Sequence, residues 1–424
     1  MAYRTKRICP DCCEGDSILP SERSPSLKKT ILYLLVFLTI LATFTYALSF
    51  LFEKNALGGD FFIFWNAGRA IFLEGKSPYL PEITLRIQMG IYGHPASPQQ
   101  DQVAFAYPPY SLLVLFPTFW MPYPWGEAFW LALNLLLIIT MILVLFPFAP
   151  KWLGFSFVLL YPVFLALIVG NFVALIGIIL LLAYYLLFNG KTTNPWTLIG
   201  LGISLAWCTA KFQFSWLFLI FLAFECLRQK LWFLVISFTA SMFAFLSLSW
   251  ILSPGWLREW AARLAIYSGY IKYETTTYGL LKSFLSETPT FVISLVGVLL
   301  IGFITIAWFL RFRRTKENSL DIFLWCGFVT YLVHPPAVPY EQISLFVPLL
   351  YWVATYSKRN SWMTRIIWVV FIPVTWFAVW LGKMYKIEYQ RIPLGFFALF
   401  LLGYFIQERG ILRKPKTRLN PSEG

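Results

Sequence analysis

The stretch "ILYLLVFLTILATFTYALSFLF", from Ile31 to Phe52, decides the fold class. It contains no charged residue and is long enough to cross about 30 Å of hydrocarbon as one helix. It is also too long for the apolar core of a cleavable signal peptide, so we expect an uncleaved first span. Similar apolar runs recur along the chain. The sequence therefore predicts an all-α protein that crosses a membrane many times.

The composition agrees with this class. Of the 424 residues, 59% are hydrophobic and 13% are charged, whereas soluble domains carry about 25% charged residues. A transmembrane barrel would show short alternating segments, which the sequence lacks. The net charge of +14 comes from Lys and Arg clustered between apolar runs. That pattern is typical of cytoplasmic membrane loops, so we expect no nucleic-acid partner.

Twelve apolar segments are candidate spans. They lie at 31–52, 110–121, 127–147, 152–169, 172–189, 196–226, 231–252, 290–310, 321–335, 341–356, 362–381 and 392–408. Basic segments test the count, because "RTKR" and "KK" precede the first span and the other clusters follow the sixth, eighth, tenth and last. With a cytoplasmic N-terminus, all of them fall on the cytoplasmic side. Two crossings over 196–226 would put the later clusters on the outer side, so we expect a single crossing there, broken near Lys211.

The predicted organisation is a cytoplasmic tail over 1–30, a transmembrane domain over 31–408 and a basic cytoplasmic tail over 409–424. Two long loops, at about 53–109 and 253–289, then lie outside. Each contains a segment suited to an amphipathic helix along the membrane surface. In the second loop, apolar residues recur every three to four positions and charged residues take the other face, namely Trp256, Trp260, Leu264 and Tyr267 against Arg258, Glu259 and Arg263.

Asp60 stands after two glycines at the start of an apolar, aromatic stretch. One interpretation is an N-cap for a helix beginning at Phe61, because Asp accepts orphan backbone N–H groups there. The other is a general base just outside the bilayer. Burial among Phe61, Phe62 and Trp65 would raise the pKa of its carboxyl and improve it as a base. The two roles are compatible.

Lys211 lies inside an apolar stretch, where a charge is expensive and usually faces a cavity or a partner. It could hold the phosphate of a lipid carrier, extend to the membrane surface, or pair with Glu225. His334, at the outer end of a span, could donate to a phosphate or a leaving group, or be an ordinary interfacial histidine. Glu341 and Gln342 begin the next helix, where an acid suits the helix dipole.

Neither a phosphate-cradling glycine loop nor a metal-ligand spacing occurs in the sequence. The N-terminal "CPDCC" lacks a fourth ligand for zinc and is interpreted as a reduced cytoplasmic segment. We therefore expect no cofactor and no metal. Any activated sugar or phosphate substrate would have to be presented by a lipid.

The stretches "GGDFFIFWNAGRAIFLEGKSPYL" and "FAYPPYSLLVLFP" together resemble the first-loop signature of glycosyltransferase family 87, a group of GT-C type membrane enzymes. The matching positions are Asp60, Ala67–Gly68, Gly75, Ser77–Pro78–Tyr79 and Tyr107–Pro108–Pro109. Looser matches are Gly170–Asn171 and the glycine-rich span that ends in Lys211.

This resemblance implies an inverting transfer of a sugar, such as mannose, from a polyprenyl phosphate to a hydroxyl of a lipid or glycan acceptor. Asp60 would be the general base, on the outer face of the plasma membrane. The donor phosphate would be held by Lys211, His334, Arg258 and Arg263. The acceptor side would be shaped by Trp65, Asn66, Tyr79, Tyr107, Glu341 and Gln342. The leaving group is already a phosphate, so the reaction requires no metal.

The late part of the chain departs from the family pattern. Members often carry paired histidines where this sequence has "HPPAVPYEQ", with Glu341 and Gln342 at the matching positions. A transporter or flippase, or a non-catalytic binder of lipid-linked sugars, is therefore an alternative. A transporter should concentrate its ionisable residues at mid-membrane between repeats, whereas this sequence places them in two outer loops.

Overall fold

The computed structural model describes residues 27–52, 58–98, 100–145, 150–188, 194–270, 281, 290–312, 319–333, 338–356, 361–385 and 391–408. Within these ranges the chain forms sixteen α-helices and no strand, which confirms the all-α class. The first eight are α1 (Leu27–Phe52), α2 (Gly59–Phe72), α3 (Pro81–Tyr92), α4 (Tyr123–Leu145), α5 (Lys151–Phe155), α6 (Tyr161–Val169), α7 (Val173–Phe188) and α8 (Pro195–Cys208).

The remaining eight helices are α9 (Phe212–Arg228), α10 (Trp232–Leu252), α11 (Trp256–Tyr270), α12 (Thr290–Phe312), α13 (Ser319–Val333), α14 (Ile343–Tyr356), α15 (Ser361–Tyr385) and α16 (Arg391–Glu408). Short 3₁₀ helices also occur, at Pro109–Trp120, Ser156–Leu159, Thr209–Lys211 and Pro339–Gln342. Every candidate span overlaps one of these helical elements.

Five helical stretches in the described ranges are long and apolar enough to cross a membrane: Ile31–Phe52, Tyr123–Leu143, Pro195–Arg228, Trp232–Leu252 and Arg365–Met384. The pair α5–α6, bent by 64°, would make a sixth. Helices such as α7, with 16 residues, fall short of the roughly 20 needed for a full crossing. The protein is thus a polytopic membrane protein, while the count of twelve spans is not confirmed.

The segment predicted as the second span is a 3₁₀ helix, Pro109–Trp120, instead of a transmembrane α-helix. Pro109 begins it and Pro117 lies inside it, and neither can donate a backbone hydrogen bond. Long 3₁₀ runs are uncommon because their hydrogen-bond geometry is poor. This one is stabilised by packing against α2, α4 and α10.

The break predicted near Lys211 is confirmed. Helix α8 ends at Cys208, one 3₁₀ turn follows, and α9 begins at Phe212. Lys211 itself has φ −123° and ψ 68°, outside the helical region. The break frees the lysine from the regular helix surface and directs its side chain into the protein, where it is only 2% exposed.

The first long loop contains the expected helix, α2, but α2 is not a surface helix. None of its residues is exposed, and Phe61 and Phe64 are fully enclosed. Small residues let the 3₁₀ helix approach closely, since a Cβ added to Gly68 would lie 2.1 Å from the ring of Phe119. The apolar character of α2 therefore reflects burial in protein and not contact with the membrane surface.

The second long loop docks onto the first through α11. Ser77 Oγ donates to a Glu259 oxygen at 2.6 Å, and the Trp260 indole donates to the Ala106 carbonyl at 3.0 Å. Arg263 Nη2 donates to the carbonyl of Tyr79 at 2.7 Å. Charged residues expected on a solvated face thus hold the two loops together.

Candidate active site

Asp60 lies within the first turn of α2, where its negative charge suits the helix dipole. The helix begins at Gly59, and Gly58 occupies the N-cap position without any side-chain cap. The Gly58 carbonyl accepts hydrogen bonds from the backbone of Phe62 at 2.7 Å and from the Tyr123 hydroxyl at 3.2 Å. The expectation that Asp60 is the N-cap of a helix starting at Phe61 is therefore wrong, and its carboxylate is available for contacts elsewhere.

Those contacts join Asp60 to distant parts of the chain. Asn171 Nδ2 donates to Asp60 Oδ2 at 2.7 Å. The Tyr340 hydroxyl also donates to this carboxylate. As a whole residue, Asp60 is half-buried.

Lys211 is tied to the same cluster. Its ammonium lies 2.9 Å from Glu341 Oε1 and donates to Asn171 Oδ1 at 3.3 Å. It also lies 4.8 Å from the ring centre of Tyr340 and 5.9 Å from that of Tyr107, distances at which a cation is attracted to an aromatic face. A buried ammonium with these neighbours is held in one position and keeps its positive charge at the site.

Two alternative interpretations of Lys211 are excluded by its burial and pairing. A lysine that is 2% exposed does not extend to the membrane surface. Glu225 is not its partner either, because Arg228 binds that carboxylate at 2.9 Å and Gln229 donates to it as well. Glu341 is the acid that pairs with Lys211, so its role goes beyond complementing a helix dipole.

The environment of Asp60 shifts its acidity. Burial raises the pKa of the Asp60 carboxyl above its ordinary value, because the charged form is poorly solvated. The hydrogen bond from Asn171, the charge of Lys211 and the hydrogen bond from Tyr340 oppose this rise, and the charge of Asp101 adds to it. The carboxylate of Asp60 is therefore a stronger base than that of a free aspartate.

The expected phosphate ligands are not all brought to this cluster. Arg263 binds the Tyr79 carbonyl and Thr84 Oγ1, at 2.7 and 3.1 Å, and so anchors α11 to the first loop. Arg258 is exposed on the same helix. His334 lies outside the described residues.

The residues expected to shape the acceptor side make hydrogen bonds within and between the elements around this cluster. The Trp65 indole donates to the carbonyls of Thr118 and Met121, and Asn66 donates to the Phe62 carbonyl within its own helix. The Tyr79 hydroxyl donates to the Tyr107 carbonyl at 2.5 Å. Gln342 Nε2 donates to the Tyr331 hydroxyl at 3.2 Å. The ring centre of Tyr107 lies 5.9 Å from the Lys211 ammonium.

Sequence reasoning missed two residues of the cluster, Asn171 and Tyr340. The sequence indicated Asn171 only through the loose match at Gly170–Asn171. Tyr340 directly precedes Glu341 and Gln342, which were the residues predicted for the site. A polar residue next to the buried turn at Gly170 is the signal that could have identified Asn171. In the parts of the chain that the structure describes, no group of three or more His, Cys, Asp or Glu could hold a metal ion.

Comparison with protein families gives one match. The model of glycosyltransferase family 87 matches residues 105–335, more than half of the 424 residues. The matched range includes Tyr107, Asn171 and Lys211, while Asp60 and Glu341 lie on either side of it. Comparison of the chain with curated proteins and with solved structures found no significant match.

Proposed function

The chain belongs to glycosyltransferase family 87, and on that premise we propose that it moves a sugar from a polyprenyl phosphate to a hydroxyl of a lipid or glycan acceptor. Asp60 is the general base of this reaction, and the configuration at the anomeric carbon inverts. Family membership makes the protein a membrane glycosyltransferase; the donor, the acceptor and the base are the proposal.

One observation carries the proposal: the Asp60 carboxylate and the buried Lys211 ammonium are bridged by a single side-chain amide. Asp60 accepts from Asn171 at 2.7 Å, and Lys211 donates to the other end of the same amide at 3.3 Å. Glycosyl transfer from a phosphate needs these two groups, a base for the incoming hydroxyl and a positive charge for the departing phosphate.

The proposed reaction uses these residues in one displacement. The Asp60 carboxylate takes the proton of the acceptor hydroxyl as that oxygen attacks the anomeric carbon. The bond between this carbon and the phosphate oxygen breaks, and polyprenyl phosphate leaves with the electron pair. Lys211 stabilises the negative charge that develops on the phosphate. Arg258, exposed on α11, and His334 are further candidates for binding the phosphate.

A lipid-borne donor is supported by an apolar cavity of about 380 Å³ between α9, α12 and α13. Trp216 and Leu217, which line it, follow Lys211 by five and six residues, and Val333 lines it at the end of α13. We assign the cavity to the isoprenoid chain of the donor, because a soluble nucleotide sugar has no part that would occupy so apolar a space.

The distribution of basic segments supports an active site on the outer face of the plasma membrane. With the N-terminus in the cytoplasm, the single crossing by α1 puts the loop that carries Asp60 on the outer side. The direct contacts of this loop with α11, which carries Arg258, support the same side for both. We propose a hexose such as mannose as the transferred sugar.

The test is to incubate purified protein with a panel of polyprenyl phosphate sugars and lipid acceptors, using wild type and Asp60→Asn. We expect transfer by the wild type and a loss on the order of 10²- to 10⁴-fold in the variant, the usual contribution of a general base. Equal transfer by both proteins would exclude Asp60 as the base. Binding without transfer by the wild type would favour a non-catalytic binder, and transport of the lipid-linked sugar across a vesicle membrane would favour a flippase.

A further inference from the structure

The turn between α6 and α7 places Asn171 with little freedom. Gly170 has φ +74°, in the left-handed region that favours glycine. Its carbonyl accepts from the Trp130 indole at 3.0 Å, and a Cβ added to it would lie 2.5 Å from the Cβ of Phe61. The Asn171 backbone N–H bonds to the Ala166 carbonyl at 2.9 Å, which closes the end of α6.

The next residue holds the same turn from the other side. The ring of Phe172 stacks on that of Phe64 in α2, with ring centres 4.1 Å apart. It also meets the Tyr107 ring edge-on at 5.7 Å. The turn is thus packed against the helix that carries Asp60 both before and after Asn171.

The side-chain amide of Asn171 has one orientation that fits its neighbours. Its oxygen accepts from the backbone N–H of Val173 at 3.1 Å and from Lys211 at 3.3 Å. Its NH₂ group therefore faces Asp60, to which it donates at 2.7 Å. The reverse orientation would aim the NH₂ group at two donors and the oxygen at a carboxylate, so all three contacts fix the same assignment.

We propose that Asn171 is a positioning residue that separates the Asp60 carboxylate from the Lys211 ammonium and holds each for its own task. Opposite charges attract strongly where water is excluded. A neutral amide can satisfy both, since it presents an acceptor to the cation and a donor to the anion. Without it, Asp60 and Lys211 would pair directly, which would leave a weaker base for the acceptor and draw Lys211 towards Asp60. This inference rests on the proposed function.

Other charged or titratable groups also face Asp60, and the test must separate Asn171 from them. They are Lys211, Tyr340, Asp101 and Tyr107, with Glu341 bound to Lys211 and Glu127 beside Gly58. Asn171→Asp changes one atom and leaves all of these in place. It replaces the hydrogen-bond donor to Asp60 with a second carboxylate, and a like charge raises the pKa of its neighbour.

We therefore expect Asn171→Asp to lower kcat by on the order of 10- to 100-fold, as a displaced catalytic group does, and to move the acid limb of the pH–rate profile to higher pH. A merely structural role would not move that limb. Asn134→Asp is the matched control, because Asn134 is also buried but donates only to the Trp130 carbonyl within α4. It should lower stability and leave the acid limb where it is. Wild-type kcat and an unshifted limb in Asn171→Asp would overturn the proposal.

A second experiment tests the contact without relying on activity. In the double variant Asp60→Asn/Asn171→Asp, the amide and the carboxylate exchange places and the hydrogen bond can form again. We expect each single variant to lower the melting temperature, and the double variant to recover most of the loss while remaining inactive. If the wild type transferred no sugar but this recovery occurred, the proposed function would fail and the link between the two residues would stand. Additive losses in the double variant would overturn the proposal itself.

Discussion

The Lys211 ammonium lies 2.9 Å from a carboxylate oxygen of Glu341, and the two side chains are 2% and 4% exposed. A buried pair of this kind makes each partner dependent on the other, because removing one leaves an uncompensated charge inside the protein. It also explains how an apolar segment retains a lysine.

The first prediction concerns this pair. We expect Lys211→Met to lower the free energy of unfolding by about 3–5 kcal/mol, since Glu341 then loses its counter-charge. The double variant Lys211→Met/Glu341→Gln should recover much of the loss, although it stays inactive. Chemical denaturation in detergent micelles measures both effects.

The matched control is the exposed pair Lys76–Glu82, whose charged atoms lie 2.8 Å apart. Because solvent screens that pair, breaking it should change stability far less than breaking the buried pair. Equal effects at the two pairs would contradict the burial of Lys211.

The second prediction concerns pH. Asp60 must be ionised to act as a base, so activity is lost as the pH falls through its pKa. Since burial raises the pKa of this carboxyl, the acid limb of kcat/KM should lie above the ordinary carboxyl range. Tyr340→Phe removes a hydrogen bond that lowers this pKa, and it should move the limb to higher pH. Tyr184→Phe, a buried tyrosine bonded to Ser319, should leave it unchanged. A downward shift in Tyr340→Phe would contradict the assignment of the limb to Asp60.

The third prediction separates two arginines of α11. Arg263 satisfies the Tyr79 carbonyl at 2.7 Å, so Arg263→Ala should reduce stability by about 1–3 kcal/mol, the cost of an unsatisfied polar group. Arg258 is exposed, so Arg258→Ala should change stability by less than about 0.5 kcal/mol. If Arg258 binds the donor phosphate, the KM for the donor should rise several-fold in Arg258→Ala. Thermal unfolding and donor titrations of both variants decide this, and an unchanged KM would remove Arg258 from the site.

Local patterns were enough to predict the class of fold and several of its details. Apolar runs predicted the helices, and the charge at Lys211 predicted the break between α8 and α9. The partners of the site residues were not predictable in this way. Asp60 and Asn171 are 111 residues apart, and their contact depends on the glycine turn at Gly170 meeting α2. The burial of α2 was not predicted either, because an aromatic helix has the same sequence pattern whether membrane or protein covers it.

The last prediction tests the apolar cavity. Gly302 lines it, and a Cβ added there meets no atom within 4 Å, so a large side chain can enter without disturbing the backbone. We expect Gly302→Phe to raise the KM for donors with long isoprenoid chains by about tenfold, since part of the buried chain is displaced. A donor with only two isoprene units does not reach as far, so its KM should change little. Gly200→Phe is the control, because Gly200 also has open space around its Cβ position but lies on α8 and does not line the cavity. Equal changes for short and long donors, or equal effects of the two variants, would assign the donor chain to another part of the protein.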